Sequence, residues 1–324
     1  MNKMKKWLIV APVLIFAGCL IFGGVMMALN WDFSKLSTAR YVTTEHKITE
    51  DFGSISGNIS ITADTADIAF AKSDDGTCKV VCFEDEKAKH TVTVTENTLN
   101  IKLEDQRTWK DWIGFSFRTP TITVYLPLEV CGSLCITGST GDITIPKNFL
   151  FTDADISLST GGVEFNGWVT NLLKIKTSTG DIDAENIHAG ALDLTVSTGE
   201  IELSHVTCAG DVNIRVTTGK TELENVKCVN LLTTGDTGDL SMENVVAAGK
   251  FTINRTTGDV TFDGCDAEEI FVETDTGNVT GSLLTDKIYI AKTDTGNVIV
   301  PSATQGGKCE ITTDTGDIKI NVKN

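Results

Sequence analysis

Residues 274–300 read TDTGNVTGSLLTDKIYIAKTDTGNVIV, in which the six letters TDTGNV occur twice, nineteen residues apart. The dipeptide Thr-Gly at the centre of this motif recurs ten times, and successive glycines are always 19 or 20 residues apart. A short fixed period without longer insertions is typical of a solenoid, in which each repeat stacks on its neighbours. The ten glycines are Gly141, Gly161, Gly180, Gly199, Gly219, Gly238, Gly258, Gly277, Gly296 and Gly316.

The residues on both sides of each glycine alternate between apolar and polar. Aliphatic residues occur two positions after the glycine, as at Ile143 and Val163, and five positions before it, as at Ile156 and Ile175. This period of two predicts strands with one buried face and one wet face. The sequence therefore predicts an all-β, single-chain solenoid, similar to a parallel β-helix, with about ten coils of 19–20 residues over 131–324.

Glycine recurs at one point of each coil because the corner is expected to need a positive φ. That conformation costs other residues roughly 1–2 kcal/mol. Asp or Asn follows the glycine in most repeats, as at Asp142 and Asn278, where a short polar side chain can bond to the turn backbone. We therefore interpret the ten glycines as structural turn residues.

The N-terminal residues form a different kind of segment. Lys3, Lys5 and Lys6 precede an uncharged apolar run over 7–29, and Asp32 follows it. A helix of this length, at about 1.5 Å per residue, can cross a hydrocarbon core of about 30 Å. The position of the lysines predicts that the N-terminus is cytoplasmic.

This segment predicts a single-pass protein of the cell membrane. Residues 1–6 would form a cytoplasmic tail, 7–29 a transmembrane helix and 30–45 a linker, and the remainder would be extracytoplasmic. Two alternatives stay open, a cleaved signal peptide and a lipoprotein modified at Cys19.

Residues 46–130 are strand-like but irregular, and we interpret them as an N-terminal β cap that covers one end of the solenoid. ADTADIAF (63–70) fits the repeat with Ala66 in the glycine position, so one coil is expected there. TENTLN (95–100) is typical of a hairpin turn. WKDWIGF (109–115) is a Trp-rich insertion.

The opposite end of the solenoid is expected to lie at the last strand of the chain. That strand carries Lys319 and Lys323. Charged side chains on an edge strand discourage pairing with other molecules. The sequence therefore predicts a guarded edge at the C-terminus.

Composition excludes several classes of partner. The chain of 324 residues has a net charge of −17. It therefore lacks the basic surface that nucleic-acid binding needs, and its field repels anionic headgroups. We expect no nucleic acid and no cofactor. The expected partners are the membrane, through the N-terminal span, and an unknown envelope protein or wall polymer.

Three segments carry a family resemblance: GSTGDITI (138–145), TSTGDIDA (177–184) and TTGDVTF (256–262). They resemble the STGDI-type β-repeats of the bacterial "putative adhesins", a membrane-anchored family of unknown function. The resemblance covers roughly 50–324 and includes the Trp-rich insertion. It implies the repeat architecture, and a place among cell-envelope stress genes in some relatives, but no catalytic residue.

Aspartates beside the later glycines form a candidate ladder for a cation such as calcium. Stacking would bring their carboxylates to about 5 Å, where like charges repel unless a cation lies between them. The alternative interpretation is a solvated face of turns, with the repulsion relieved by Lys287 and Lys292. The six candidates are Asp236, Asp239, Asp275, Asp294, Asp314 and Asp317.

The chain has nine cysteines. Cys208 and Cys228 lie nine residues after their glycines in adjacent coils, so their Cα atoms would be about 5 Å apart, within disulfide range. Cys265 and Cys309 occupy apolar rows and are predicted to be buried. A zinc site is left open for the pairs spaced four residues apart, Cys78 with Cys82 and Cys131 with Cys135.

The four histidines share no row of the repeat, and no arrangement typical of a nucleophilic enzyme accompanies them. They are predicted to be surface residues: His46, His90, His188 and His205.

These observations favour a non-enzymatic, membrane-tethered extracytoplasmic solenoid with an adhesin-like or structural role in the cell envelope. One alternative is an accessory component of envelope-stress sensing, which would act through a partner protein because residues 1–6 cannot hold an output domain. Another is a polysaccharide-active β-helix enzyme. Such an enzyme needs paired carboxylates or a basic residue in a groove, usually walled by loops between coils, and coils of 19–20 residues leave no such loops.

Overall fold

The computed structural model describes residues 3–32, 40–48, 57–109, 111, 118–127 and 131–323, with side chains of the first helix described from Pro12 onward. These residues form one helix, α1 (Lys3–Ala28), and strands that all belong to one continuous sheet. Helix α1 ends where the Trp31 N–H donates to the Met26 carbonyl oxygen at 2.8 Å.

Across the described part of the chain, no helix is both long enough and apolar enough to span a bilayer. The transmembrane helix expected over 7–29 stays a prediction.

Seven strands precede the regular repeats. The first begins within the predicted linker (30–45), so strand structure starts before residue 46. These strands are β1 (Tyr41–Ile48), β2 (Asn58–Thr62), β3 (Asp67–Lys72), β4 (Cys78–Asp85), β5 (Ala88–Thr95), β6 (Thr98–Asp105) and β7 (Thr121–Leu126).

The cap joins antiparallel strands to the first parallel coil. Strands β1, β4 and β7 pair antiparallel, as do β5 and β6, while β2 and β3 pair in parallel with neighbours on both sides. The hairpin expected at TENTLN is confirmed, because Glu96 and Asn97 have the positive φ of 49° and 58° that a two-residue turn requires. Within the Trp-rich insertion, residues 110 and 112–115 lie outside the described residues.

The repeats supply the remaining strands, which alternate between two sides of the solenoid. They are β8 (Leu134–Thr140), β9 (Ile143–Ile145), β10 (Leu150–Phe151), β11 (Ala154–Thr160), β12 (Val163–Phe165), β13 (Trp168–Thr179), β14 (Ile182–Glu185), β15 (His188–Thr198), β16 (Ile201–Cys208), β17 (Val212–Thr218), β18 (Thr221–Cys228), β19 (Leu231–Thr237), β20 (Leu240–Glu243), β21 (Val246–Ala247), β22 (Lys250–Thr257), β23 (Val260–Cys265), β24 (Glu269–Thr276), β25 (Val279–Leu283), β26 (Lys287–Thr295), β27 (Val298–Ile299), β28 (Gly307–Thr315) and β29 (Ile318–Val322).

Adjacent coils pair in parallel and keep equivalent residues side by side. Ile156 pairs with Ile175, and Ile175 pairs with Leu194, in a column that is fully buried. The same register holds after the corner, where Val163 pairs with Ile182. The predicted all-β solenoid with aliphatic interior columns is confirmed.

The coil expected around Ala66 is also present. The Ala66 N–H donates to the Thr140 carbonyl oxygen at 2.9 Å, as the corner glycines do to the coil beside them. Strand β3 pairs with β9, so this coil covers the first glycine-containing coil. Alanine is accommodated here at the end of the column of corners.

Two constraints require glycine at the corners. One is the positive φ expected from the sequence, and the other is the close approach of the adjacent coil. Nine of the ten have φ between 133° and 152°, as predicted, and Gly277 is the exception. A Cβ on Gly277 would nevertheless lie inside van der Waals contact with the Gly258 carbonyl oxygen of the adjacent coil. The same clash recurs at the other nine corners, so close approach of two backbones excludes side chains there.

Where an aspartate follows the corner glycine, its side chain bonds to the neighbouring coil. Asp142 Oδ1 accepts the Gly162 N–H at 2.8 Å, and Asp259 Oδ1 accepts the Asn278 N–H at 2.7 Å. The side chain was expected to bond to the turn backbone, and the bond in fact links two turns of adjacent coils. These bonds fix the register of adjacent corners.

The last two coils do not stack in sequence order, contrary to the expectation that each glycine lies over the preceding one. The Gly277 N–H donates to Thr315, and the Gly316 N–H donates to Thr295. Strand β28 therefore lies between β24 and β26, and β29 lies between β25 and β27.

The composition of these two coils explains their order. The inserted coil buries Cys309, Ile311, Ile318 and Ile320 almost completely. The other coil offers Tyr289, Ala291 and Val298 at equivalent positions, which bury less aliphatic surface. Placing the more aliphatic coil inside is favourable because burial of apolar surface drives folding. The predicted edge with Lys319 and Lys323 is consequently wrong, since β29 is an inner strand.

We predict that Gly161→Ala lowers the free energy of unfolding by at least about 2 kcal/mol, because it combines an unfavourable φ with a clash against Gly141. The adjacent Gly162→Ala is the matched control. The nearest atoms to its new Cβ would be at 3.7 Å, so its effect should stay within about 0.5 kcal/mol. Urea unfolding of the full chain followed by circular dichroism measures both, and equal effects would contradict the steric account.

Candidate functional site

The predicted cation ladder lies on an exposed turn face. All six aspartates are exposed. Asp239 and Asp317 each use Oδ1 to accept a backbone N–H of a neighbouring coil at 2.8 Å, and Asp294 is ion-paired with Lys292 at 2.9 Å. Within the described residues, these carboxylates do not gather into a group of three potential metal ligands. The geometry fits a solvated face of turns. The role expected of Lys287 there is wrong, because Lys287 is buried and ion-paired with Asp266 at 2.7 Å.

The predicted disulfide is not formed. Cys208 and Cys228 follow the paired residues Thr207 and Lys227 on adjacent coils, but both are buried free thiols. Burial raises the pKa of both thiols, that of Cys228 to about 12. The Cys208 thiol is instead directed at backbone, with Sγ 3.5 Å from the carbonyl oxygens of Gly190 and Asp211.

The remaining cysteines separate into packed residues and one cluster residue. Cys265 and Cys309 are fully buried, as predicted. Of the four cysteines in the predicted zinc pairs, Cys82 is the one that joins a group of potential ligands within the described chain. The zinc pairs themselves are therefore not assembled.

The cluster consists of Cys82, Glu84 and His90, whose exposed fractions are 0%, 1% and 4%. One ligand-capable atom from each residue lies within 4.8 Å of those from the other two. Glu84 Oε2 accepts the backbone N–H of His90 at 2.7 Å and lies 2.9 Å from His90 Nδ1. Burial, together with the charge of Glu84, raises the pKa of the Cys82 thiol to about 12.

The cluster arises from strand alternation across a hairpin. Cys82 and Glu84 are two residues apart on β4 and face the interior, while the turn after Asp85 returns the chain so that His90 on β5 also faces inward. The prediction that His90 is a surface residue is wrong. The sequence did contain a signal for this cluster. In CKVVCFED (78–85), Glu84 occupies one of the alternating positions that are otherwise apolar and face the interior.

Two cavities adjoin this cluster. One, of about 490 Å³, is lined by His90, Arg107, Arg118 and Asp85, among others. The other, of about 540 Å³, is lined by His90 and His46. His46 Nε2, His90 Nε2 and Glu84 Oε1 are buried atoms without a hydrogen-bond partner in the described part of the protein. These three atoms could therefore still form hydrogen bonds or bind a ligand.

A second buried polar group lies inside the solenoid. The Arg255 side chain is 3% exposed, and its Nη2 donates to Thr221 Oγ1 at 3.1 Å, with Thr233 Oγ1 at 3.5 Å. Its Nε and Nη1 have no partner among the described residues. Gly235 of the paired coil provides the space, since a Cβ there would clash with Arg255 Nη1. Burial lowers the pKa of Arg255 to about 10.

We predict that Arg255→Met raises the free energy of unfolding by at least about 1 kcal/mol, because it removes a buried charge without a carboxylate partner. Arg215→Met, at an exposed position of the same solenoid, is the control and should change stability by less than about 0.5 kcal/mol. Urea unfolding of both full-chain variants measures this, and destabilisation by Arg255→Met would show that the guanidinium has a stabilising ligand.

The C-terminal end of the solenoid exposes an apolar surface, here called the end patch: Ile288, Ile290, Val298 and Ile299. Their exposed fractions are between 42% and 57%. Val298 and Val279 end identical TDTGNV motifs, yet Val279 is fully buried. In the described chain, β26 pairs with β28 alone and β27 with β29 alone, so their outer backbone edges are unpaired.

Comparison with known proteins gives a family. The family model described as Toastrack DUF4097 matches residues 57–219 and 208–324. No curated protein matches the sequence.

Several solved structures match this chain at low sequence identity. A "putative adhesin" from Bacteroides fragilis has a TM-score of 0.42 at 15% identity and covers 88% of this chain and 99% of that chain. A "putative lipid binding protein" from Parabacteroides distasonis has a TM-score of 0.46 at 17% identity, with 88% and 98% covered. A "putative adhesin" from the latter species has a TM-score of 0.38 at 9% identity, with the same coverage of both chains.

Proposed function

The chain belongs to the Toastrack DUF4097 family, and from this premise we propose that it is a non-enzymatic, membrane-tethered protein of the cell envelope whose solenoid binds a partner protein. The observation that carries this proposal is the end patch. A solenoid normally covers its terminal coil, because an open strand edge and a hydrophobic cross-section invite association.

The end patch favours an extended polypeptide as its ligand. The free edge of β26 offers alternating backbone donors and acceptors, which a strand of another chain can complete by β-strand addition. Ile288 and Ile290 lie on this edge strand with about half of their surface exposed, 45% and 51%, and would pack against alternate side chains of the added strand. A glycan cannot supply the matching ladder of peptide groups.

Charge favours a different protein over a second copy of this chain. The net charge of −17 opposes end-to-end association of two identical chains. The partner strand is therefore proposed to be uncharged or basic, from another protein of the envelope. Such a partner is compatible with an adhesin-like role, and also with the alternative of a sensing accessory, in which the partner carries the signal.

Two further features support the non-enzymatic and tethered parts of the proposal. Coils of constant length leave no inserted loops to wall a substrate groove, and the ladder aspartates are exposed and used in turn contacts. The apolar run over 7–29, with lysines before it, would hold the solenoid outside the membrane.

A photoreactive amino acid at position 290 tests the end patch in the native host. We expect irradiation to produce an adduct with one other protein, whose linked peptide is identified by mass spectrometry. The same label at position 232 is the control, because Leu232 is exposed on the side of the solenoid, on β19. In addition, Ile299→Lys should reduce adduct formation at 290 by at least about tenfold, since a charge on the edge opposes strand addition.

Three outcomes would contradict the proposal. They are an adduct with a second copy of this chain, an adduct with wall polymer alone, and equal adducts from positions 290 and 232. Correct folding of the labelled chains is checked by their circular dichroism.

A further inference from the structure

The cap cluster brings together three residue types that ligate transition metals. Cys82, Glu84 and His90 offer a thiol, a carboxylate and an imidazole, with one atom of each within 4.8 Å of the others. Zn²⁺ binds sulfur at about 2.3 Å and nitrogen or oxygen at about 2.0–2.2 Å, so its ligand atoms lie roughly 3–4 Å apart. Small side-chain movements would therefore suffice for all three to reach one ion.

The cluster also contains polar atoms that the protein leaves without partners. Glu84 is 1% exposed and His90 is 4% exposed, yet Glu84 Oε1 and His90 Nε2 make no hydrogen bond within the described chain. A buried polar atom without a partner costs a substantial part of its hydration free energy. A cation bound by the Glu84 carboxylate would compensate Oε1.

The existing contacts orient these groups for such a ligand. Glu84 Oε2 lies 2.9 Å from His90 Nδ1, so the carboxylate and this ring nitrogen already face each other, and a cation bound between them would replace their hydrogen bond. The hairpin turn between β4 and β5 fixes the relative position of the two strands, so the group is built on paired backbone.

The ligand types of Cys82, Glu84 and His90 favour some metal ions over others. A soft thiolate with an imidazole and a carboxylate suits Zn²⁺, whereas Ca²⁺ and Mg²⁺ prefer sites built from oxygen alone. The charges of one thiolate and one carboxylate balance a divalent cation. On binding, the Cys82 thiol would release its proton to solvent as the sulfur–metal bond forms.

The two cavities beside the cluster provide access. The cavity of about 540 Å³ is lined by His46 and His90, and His46 Nε2 is a third buried polar atom without a partner in the described residues. An ion could therefore enter without unfolding the cap, and three protein ligands would leave a coordination position for water.

We propose that Cys82, Glu84 and His90 form a zinc site within the N-terminal cap. The site ties the β4–β5 hairpin together at the end of the solenoid. It does not depend on the proposed role of the end patch, which lies at the opposite end.

Titration of the purified, metal-free full chain with Co²⁺ tests the site directly. We expect saturation at one Co²⁺ per chain, with a thiolate-to-cobalt charge-transfer band and visible bands of tetrahedral intensity, and displacement of Co²⁺ by Zn²⁺. Zinc should also raise the Tm of the full chain, because an ion that binds the native state stabilises it. Absence of the charge-transfer band in the wild-type chain would overturn the proposal without recourse to any variant.

Variants on one strand distinguish this site from other thiols. Cys82→Ala should abolish the charge-transfer band and weaken zinc binding at least about tenfold, and Glu84→Gln should weaken it while retaining the band. Cys78→Ala is the matched control, since Cys78 is also buried on β4 but lies outside the group. Loss of the band in Cys78→Ala, or its persistence in Cys82→Ala, would contradict the assignment. Circular dichroism of each variant confirms that it is folded.

Discussion

Adjacent coils approach so closely at the Thr-Gly corners that a side chain on each glycine would collide with a backbone carbonyl oxygen of one neighbouring coil. This steric constraint holds even at Gly277, where the φ requirement is absent. Glycine permits the corners to keep the spacing that the backbone hydrogen bonds impose, and the bonds from Asp142 and Asp259 to the next corner fix the register. Columns such as Ile156, Ile175 and Leu194 then follow, because equivalent residues are carried to the same depth in each coil.

The constant period made the solenoid predictable from sequence, whereas the order of its last coils was not. The motif TDTGNV is identical at 274–279 and 293–298, so nothing local distinguishes an inner coil from a terminal one. The difference lies in the rest of each coil. Ile311 and Ile318 offer more aliphatic surface than Ala291 and Val298, and the final segment takes the inner position. Burial is a property of the assembled stack, which a motif comparison does not contain.

The cap was less predictable because it has no period to compare against. Its hairpin turn was recognisable from local turn chemistry, but the pairing of β1 with β4 and the burial of His90 depend on how the antiparallel cap strands join the parallel coils. Glu84 and Arg255 show two ways of placing charge inside this fold. Arg255 occupies space left by Gly235 and bonds to two threonines, whereas Glu84 lies beside potential metal ligands and unused polar atoms.

The stacking order is the claim on which both the inner columns and the end patch depend, and oxidative cross-linking of paired cysteine substitutions in the full chain measures it most directly. Thr274 pairs with Thr313, and Thr293 pairs with Thr313, which places Asp314 beside both Asp275 and Asp294. Cα separations of about 5 Å are within disulfide range, while two strand spacings of about 10 Å are not. The account predicts cross-links for Asp275→Cys with Asp314→Cys and for Asp294→Cys with Asp314→Cys. A cross-link between Asp275→Cys and Asp294→Cys, with none to position 314 from Asp275→Cys, would contradict it.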